Sequence, residues 1–349
     1  MKTEIEKLNL EAIDDKIIAK AAAIIRDGGL VAFPTETVYG LGADAMQASA
    51  AKKIYEAKGR PSDNPLIVHI ADVSALRNLT DEVPGKAVKL AKAFWPGPLT
   101  MIVKKSAAVP YETTGGMDTV AVRMPNHPIA LALIAASGTY IAAPSANTSG
   151  RPSPTTAEHV RTDLNEKIPL ILDGGSVGIG IESTIIDLTE ETPMILRPGY
   201  ITKEMLEEVI GKTEIDRAIL SDDSGIKPKA PGMKYRHYAP KASLTIVEGE
   251  QEKVTAKINE LLKEGEAAGE KIGVIASTET AADYLGGIVR TIGSRSDELS
   301  ISRHLFGILR DFDTLQVDRI YSESFETPQM GQAIMNRLMK AAGHQVMEV

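Results

Sequence analysis

From Asp15 the apolar positions Ile17, Ile18, Ala21, Ala22, Ile24 and Ile25 recur at helical spacing, and Gly28-Gly29 stops the run where a left-handed cap would sit. A short strand is expected at Leu30-Val31-Ala32-Phe33, closed by Pro34 and followed by polar Thr35-Glu36-Thr37. The same phrasing returns at Val120-Ala121-Val122, which leads to Arg123 and Pro125, and at Tyr140-Ile141-Ala142-Ala143, which leads through Pro144 to Ser145-Ala146-Asn147. Helical patterns fall between them at about Gln47 to Lys58, Lys86 to Phe94 and Pro128 to Ala136, and again at Lys203 to Ile210. Strands thus alternate with helices, as in an α/β domain, here with a mixed sheet rather than a purely parallel one.

The stretch from Ser221 to Pro240 holds Gly225, Pro228, Pro231, Gly232 and Pro240 and reads as an interdomain linker. Beyond it, strands are expected at Leu244 to Val247, Ile272 to Ala276 and Val317 to Tyr321, with helices near Lys253 to Glu264 and Ile301 to Phe312. The expected fold is therefore α/β: an open twisted mixed-sheet domain over 1–220, a linker over 221–241, and a smaller Rossmann-like α/β domain over 242–349. No tandem repeat or low-complexity tract is visible.

Composition narrows the chemistry. The chain has 349 residues and no cysteine, which excludes disulfides, thiol nucleophiles and cysteine-held zinc or iron–sulfur clusters, and suits a reducing compartment. Its 47 acidic against 39 basic residues disfavour broad wrapping of nucleic acid, so any anion site must be local. No segment approaches the ~20 uninterrupted apolar residues of a membrane helix, and the amino terminus lacks a signal-peptide core. The expectation is a soluble, cytoplasmic protein without a membrane partner.

Several residues could do chemistry. Lys58 and Arg60 flank Gly59 at a helix end; they either complement the negative helix terminus or form an anion clamp for phosphate or carboxylate. Ser145 and Asn147 follow a strand and a proline, where turn chemistry is the stronger reading when they are taken alone. Arg123 and Arg197 each end an apolar run and each has an ordinary ion-pair alternative. Asp173 to Gly180 is glycine-rich but matches neither the P-loop nor the dinucleotide fingerprint. His69, His127, His159, His237, His304 and His344 show no i, i+4 pairing, so no structural metal is expected. From Ser224 through Val247 there is no acidic residue, while Lys227, Lys229, Lys234, Arg236 and Lys241 occur with Tyr235, His237 and Tyr238. That basic linker is either a solvated tether or a strap that closes over an anionic ligand.

Four blocks in order carry a resemblance: Phe33-Pro34-Thr35-Glu36-Thr37-Val38-Tyr39-Gly40-Leu41-Gly42; Lys58-Gly59-Arg60-Pro61 with Asn64-Pro65-Leu66; Phe94-Trp95-Pro96-Gly97-Pro98-Leu99-Thr100; and Ala143-Pro144-Ser145-Ala146-Asn147. Together they resemble the threonylcarbamoyl-AMP synthase family over about Ala19 to Lys212. Pro231 to Tyr235 and His237 to Pro240 resemble the linker of its long, two-domain form. The resemblance implies synthesis of threonylcarbamoyl-adenylate and pyrophosphate from ATP, L-threonine and bicarbonate or CO2. This would be the first step in modifying the adenosine beside the tRNA anticodon.

It further implies that Thr37, His69, Arg123 and Ser183 hold threonine with the backbone around Ala143. Arg60, Asn64, Thr119, Ser145, Ser153 and Arg197 would hold the nucleotide, with Lys58, Arg60, Ser145 and Asn147 as the catalytic polar motifs. Tyr235 and His237 would form a lid. Mg2+ would arrive with ATP, without a protein site of its own. The product would pass to a tRNA threonylcarbamoyl-transferase complex, and weak tRNA binding is allowed for. Two rival readings share the fold: a non-catalytic double-stranded RNA or nucleotide-binding module, and the carbamoyl-transfer domain of hydrogenase-maturation proteins. The latter carry cysteine-rich zinc segments, which this chain lacks.

Overall fold

The helix expected from Asp15 forms as α1 (Asp15–Arg26), capped by the Asp14 side chain accepting from the Lys16 N–H, with Ile18, Ala21, Ala22 and Ile25 as its buried stripe. The computed structural model describes residues 2–216 and 237–349. Packing divides them into two units. One comprises the described residues within Met1–Ser149, Ser153–Gly178 and Glu182–Lys234; the other, those within Gly150–Pro152, Ile179–Ile181 and Tyr235–Val349. Of the expected 221–241 linker only residues 237–241 are described, and Tyr235 lies outside the described residues.

In the first unit the chain continues from β1 (Glu4–Lys7) and α1 through β2 (Val31–Phe33), β3 (Gly40–Asp44), α2 (Ala48–Lys58), β4 (Ile67–His69), α3 (Leu76–Leu79) and α4 (Gly85–Phe94). Next come β5 (Leu99–Lys104), α5 (Tyr111–Thr114), β6 (Thr119–Arg123), α6 (Pro128–Ser137), β7 (Ile141–Ala142) and α7 (Ala157–Leu164). The unit closes with β8 (Leu170–Asp173), β9 (Thr184–Asp187), β10 (Met194–Arg197), α8 (Lys203–Ile210) and β11 (Glu214–Ile215). The strands form one mixed sheet in the order β1-β8-β2-β3-β7-β4-β6-β5-β9-β10-β11.

Register shows how the two faces of this sheet differ. Phe33 pairs with Gly40, Asp44 with Ile141, Ile141 with His69, His69 with Arg123, Arg123 with Thr100, and Thr100 with Ile185. Directly paired residues point to the same side of a pleated sheet, and so do residues two apart on one strand. Phe33, Ile141, His69, Arg123, Thr100 and Ile185 therefore share a face. On the opposite face Leu66, Val68, Val122, Met101 and Ile186 join the largest core cluster, into which α2, α3, α4, α7 and α8 pack.

The Phe33 face is covered by α1 and α6 only over its first half, where Val31, Phe33, Ile141, Ala143, Leu170 and Leu172 meet their apolar stripes. Over the second half it carries a small cluster built from strands alone: Ile67, Ala121, Ile102, Ile185 and Leu196. No described helix of this unit contributes to that cluster. A sheet face with an apolar floor and no helix on it is where a ligand can lie.

The second unit contains β12 (Ser243–Glu248), α9 (Gln251–Ala267), β13 (Ile272–Ser277), β14 (Ile288–Gly293), α10 (Glu298–Leu315), β15 (Arg319–Glu323), α11 (Gly331–Ala342) and β16 (Val346–Glu348). Its sheet, ordered β14-β13-β15-β12-β16, is parallel throughout, as a Rossmann-like unit requires. Among the described residues no helix is long and apolar enough to cross a membrane.

A candidate active site on the mixed sheet

Arg123 ends β6 and is 4% exposed. Its Nη2 stands 2.7 Å from Glu36 Oε1. The approach lacks hydrogen-bond geometry, and neither Nε nor Nη2 of Arg123 makes a hydrogen bond. His69 faces it from β4, its Nδ1 bonded to the Ile67 carbonyl at 3.0 Å. Burial, and then the neighbouring guanidinium, push the His69 imidazole down to about 3, so it is neutral at physiological pH.

Phe33 meets the His69 ring edge-on, with centroids 6.2 Å apart. It can do so because β3 offers glycine beneath it: a Cβ on Gly42 would lie 2.8 Å from Phe33 Cε1 and from Ile141 Cγ2. Thr37 is fully buried, and its hydroxyl lies 2.9 Å from that of Thr35. Thr35 donates its one proton to the Val38 carbonyl at 2.7 Å, so Thr37 is the donor in the pair and its oxygen keeps accepting capacity.

Thr100, beside Arg123 in register, links this corner to the next strands. Its hydroxyl lies 2.8 Å from Ser183 Oγ. Arg197, at the end of β10, donates through Nη2 to Ser183 Oγ at 3.1 Å and through Nε to the Ser183 carbonyl at 3.0 Å. The start of β5 is set by the preceding loop, where Trp95 Nε1 donates to the Leu99 carbonyl at 2.7 Å and the Gly97 N–H to the Met124 carbonyl at 2.8 Å.

A second group forms around the end of α2. Gly59, at φ +61°, stops the helix, and Lys58 is 3% exposed. Its Nζ donates to the carbonyls of Ser145, at 2.5 Å, and of Asn147. Lys58 therefore does more than complement a helix end: it ties α2 to the Ser145–Asn147 turn, where Ser145 Oγ donates to Asn147 Oδ1 at 2.5 Å. Arg60 donates to the Pro65 carbonyl at 3.1 Å and lies 5.7 Å from the Tyr55 ring centroid. Asn64 is buried with its Oδ1 unbonded. Ser153 Oγ donates to Glu182 Oε1 at 2.5 Å. Ala143 is buried, its N–H bonded to the Ile67 carbonyl at 2.8 Å.

The segment after β2 joins the two groups. Glu36 reaches Arg123, while the Tyr39 carbonyl accepts from the Ala146 N–H at 2.8 Å and the Tyr39 N–H donates to the Pro154 carbonyl at 2.9 Å. Thr119 lies on the same face of β6 as Arg123, four residues away, or about 13 Å at the rise of an extended strand. Small Ala121 lies between them on the apolar floor. His237 belongs to the second unit, its ring centroid 5.5 Å from that of Tyr238, which stacks on Phe306 at 5.1 Å. Among the described residues no group of three or more His, Asp or Glu is placed to hold a metal.

Sequence reasoning assigned no role to Glu36, Thr100 or Glu182. Glu36 and Thr100 lie inside the blocks that carried the resemblance, and Glu182 immediately precedes Ser183, so each had a positional signal. What was missing was the partner, which lies 87, 83 and 29 positions away for Arg123, Ser183 and Ser153 respectively.

Comparison with known proteins identifies the family. A family model described as "Telomere recombination" matches residues 23–199, and one described as "Threonylcarbamoyl-AMP synthase, C-terminal domain" matches residues 201–343. A threonylcarbamoyl-AMP synthase of Bacillus subtilis is 53% identical over 95% of this chain and 95% of its own length. One from Pyrococcus abyssi is 52% identical over 97% of this chain and 98% of its own. The crystal structure of P. abyssi Sua5 complexed with L-threonine superposes with a TM-score of 0.94 at 50% identity, covering 99% of this chain and all of that one. With both family models matched in order and full-length relatives above half identity, this chain belongs to the threonylcarbamoyl-AMP synthase family.

Proposed function

We propose that this protein condenses L-threonine, bicarbonate or CO2, and ATP into threonylcarbamoyl-adenylate and pyrophosphate. The observation that carries the reading is Arg123: a buried guanidinium with unbonded donors, on a stretch of sheet face where no described helix of the unit packs and whose other end carries Thr119. A planar fork of donors suits a carboxylate, so Arg123 takes that of threonine, with Thr37, His69, Ser183 and the backbone at Ala143 around it. Arg60, Asn64, Thr119, Ser145, Ser153 and Arg197 take the nucleotide.

In the reaction an oxygen of the N-carboxylated threonine attacks the α-phosphorus, a new P–O bond forms, and the bond to the bridging oxygen breaks to release pyrophosphate. Two anions must meet for this. Lys58, Arg60 and Arg197 offset their repulsion and the charge that develops on the phosphoryl oxygens. Lys58 is fixed by two carbonyls, so its charge is already in position before substrate arrives. Mg2+ bound to ATP would supply further neutralisation of phosphate charge, with no residue of this chain assigned to hold it. The product then passes to a tRNA threonylcarbamoyl-transferase complex. The relatives' names favour this enzyme over a non-catalytic RNA-binding module.

The deciding experiment supplies ATP, Mg2+ and bicarbonate with each amino acid in turn. Pyrophosphate release selective for threonine is expected. Release that ignores the amino acid, or none at all, would overturn the reading.

A further inference from the structure

Two glutamates of this chain with buried carboxylate oxygens behave differently. Glu323, in the second unit, is 1% exposed and saturated: Thr280 and Tyr284 donate to one oxygen, Arg295 and the Ser277 N–H to the other. That is how a structural carboxylate is held, because buried charge is costly unless its lone pairs are bonded. Glu36 stands in contrast. Both of its oxygens are buried, neither accepts a hydrogen bond, and among the described residues its ionic partner is Arg123 at 2.7 Å.

Arg123 mirrors this, with Nε and Nη2 also unbonded. An ion pair whose two members both keep unused hydrogen-bonding capacity is suited to opening around a ligand. If a carboxylate takes Arg123, Glu36 loses its counter-ion and needs another cation. His69 does not supply one, since it is held neutral beside Arg123. His127 lies within the field of Glu36, but burial depresses its protonation, and its Nδ1 is itself unbonded. A zwitterion brings both charges at once.

We propose that Glu36 is the seat of the substrate's α-ammonium group: the incoming amino acid inserts its two charges between Arg123 and Glu36, its carboxylate on the guanidinium and its ammonium on the glutamate. Thr37, adjacent in the chain, adds a hydroxyl oxygen able to accept a second ammonium N–H. Each of the four charges then has an opposite partner, so the buried site gains no net charge on binding. In the absence of substrate the Glu36 carboxylate occupies Arg123 in place of the substrate's own. The inference rests on the threonine reading of the site and extends it from the carboxylate to the amine.

The test compares L-threonine with 3-hydroxybutanoate, which keeps the carboxylate, hydroxyl and methyl but lacks the amine. Binding of each is measured by calorimetry on the full chain, wild type, Glu36→Gln and Glu36→Asp, with thermal melting as the check on folding. Wild type is expected to prefer threonine by about tenfold or more. Glu36→Gln should weaken threonine by a similar factor while leaving 3-hydroxybutanoate unchanged or tighter, since Arg123 is then released from its internal partner. Glu36→Asp, which keeps the charge, should restore part of the preference. Equal loss for both ligands in the two variants, or no loss for either, would overturn the ammonium seat. Wild type that binds neither ligand would instead overturn the threonine reading on which it rests.

Discussion

His69 and Arg123 stand opposite one another on β4 and β6, a buried imidazole directly paired with a buried guanidinium. The cost of charging a buried histidine, increased by that cation, gives the fold a pH dependence of definite sign. Its protonation in the native state is depressed to about 3 from an ordinary 6.5, so below pH 6.5 the unfolded chain binds a proton that the native state refuses. The stabilisation is complete above pH 6.5 and is lost as pH falls toward 3. Between pH 7 and pH 5 it amounts to about 2 kcal/mol. His127, also depressed by burial, acts in the same direction. Denaturant melts of wild type and His69→Gln at the two pH values should show the variant losing less stability on acidification.

Lys58 donates to two carbonyls, that of Ser145 in a part-buried bond and that of Asn147 in a buried one. Lys58→Met keeps most of the side chain's volume but leaves those acceptors without their cation, which costs about 1–3 kcal/mol. Threonine-dependent pyrophosphate release should fall at least ~100-fold, as expected on losing a charge placed for the transition state. A melt with an activity assay separates the two effects. Near-normal turnover would show the lysine to be a tie and nothing more.

Gly42 makes room for Phe33, and Phe33 in turn sets the edge of His69. Gly42→Ala should destabilise the fold by about 1–3 kcal/mol through overpacking. Because the displaced ring borders the amino-acid corner, the threonine KM should rise while the ATP KM changes little. Steady-state kinetics with each substrate varied in turn checks both.

Arg197 holds Ser183 by two donors in a fixed fork, which a lysine cannot reproduce. With Arg197 on the nucleotide and Ser183 on threonine, as proposed, Arg197→Lys should therefore raise the KM of both substrates by about tenfold. Thr119→Val, at the far end of the same face, should raise the ATP KM alone. A Thr119→Val effect on threonine would break this division of the site.

How much of this was legible beforehand depended on burial. The helices at Asp15, Gln47, Lys86 and Pro128 stood out because each has buried positions at helical spacing, and the strand at Val120 because it is a short apolar run buried on both faces. In the second unit β14 and β16 escaped notice for the opposite reason: they are the sheet's two edges, largely half-buried, and lack a continuous apolar run. β3 was hidden by its two glycines, Gly40 and Gly42, the second of which leaves room for the ring of Phe33. Within the site, Arg123 could be named from the sequence, but its pairing with Glu36 could not. That pairing depends on a sheet order in which β6 lies three strands from β3 and four from β2.

The paired row from His69 to Ile185 takes its members from β4, β6, β5 and β9, and Arg197 completes it from β10. A nascent chain emerging from the ribosome thus has no complete row, and no complete place for the substrates proposed to lie on it, until β10 has been made and has docked. Substrates cannot assist the collapse of earlier pieces, and a half-made sheet with bare edges is the species that chaperones would meet.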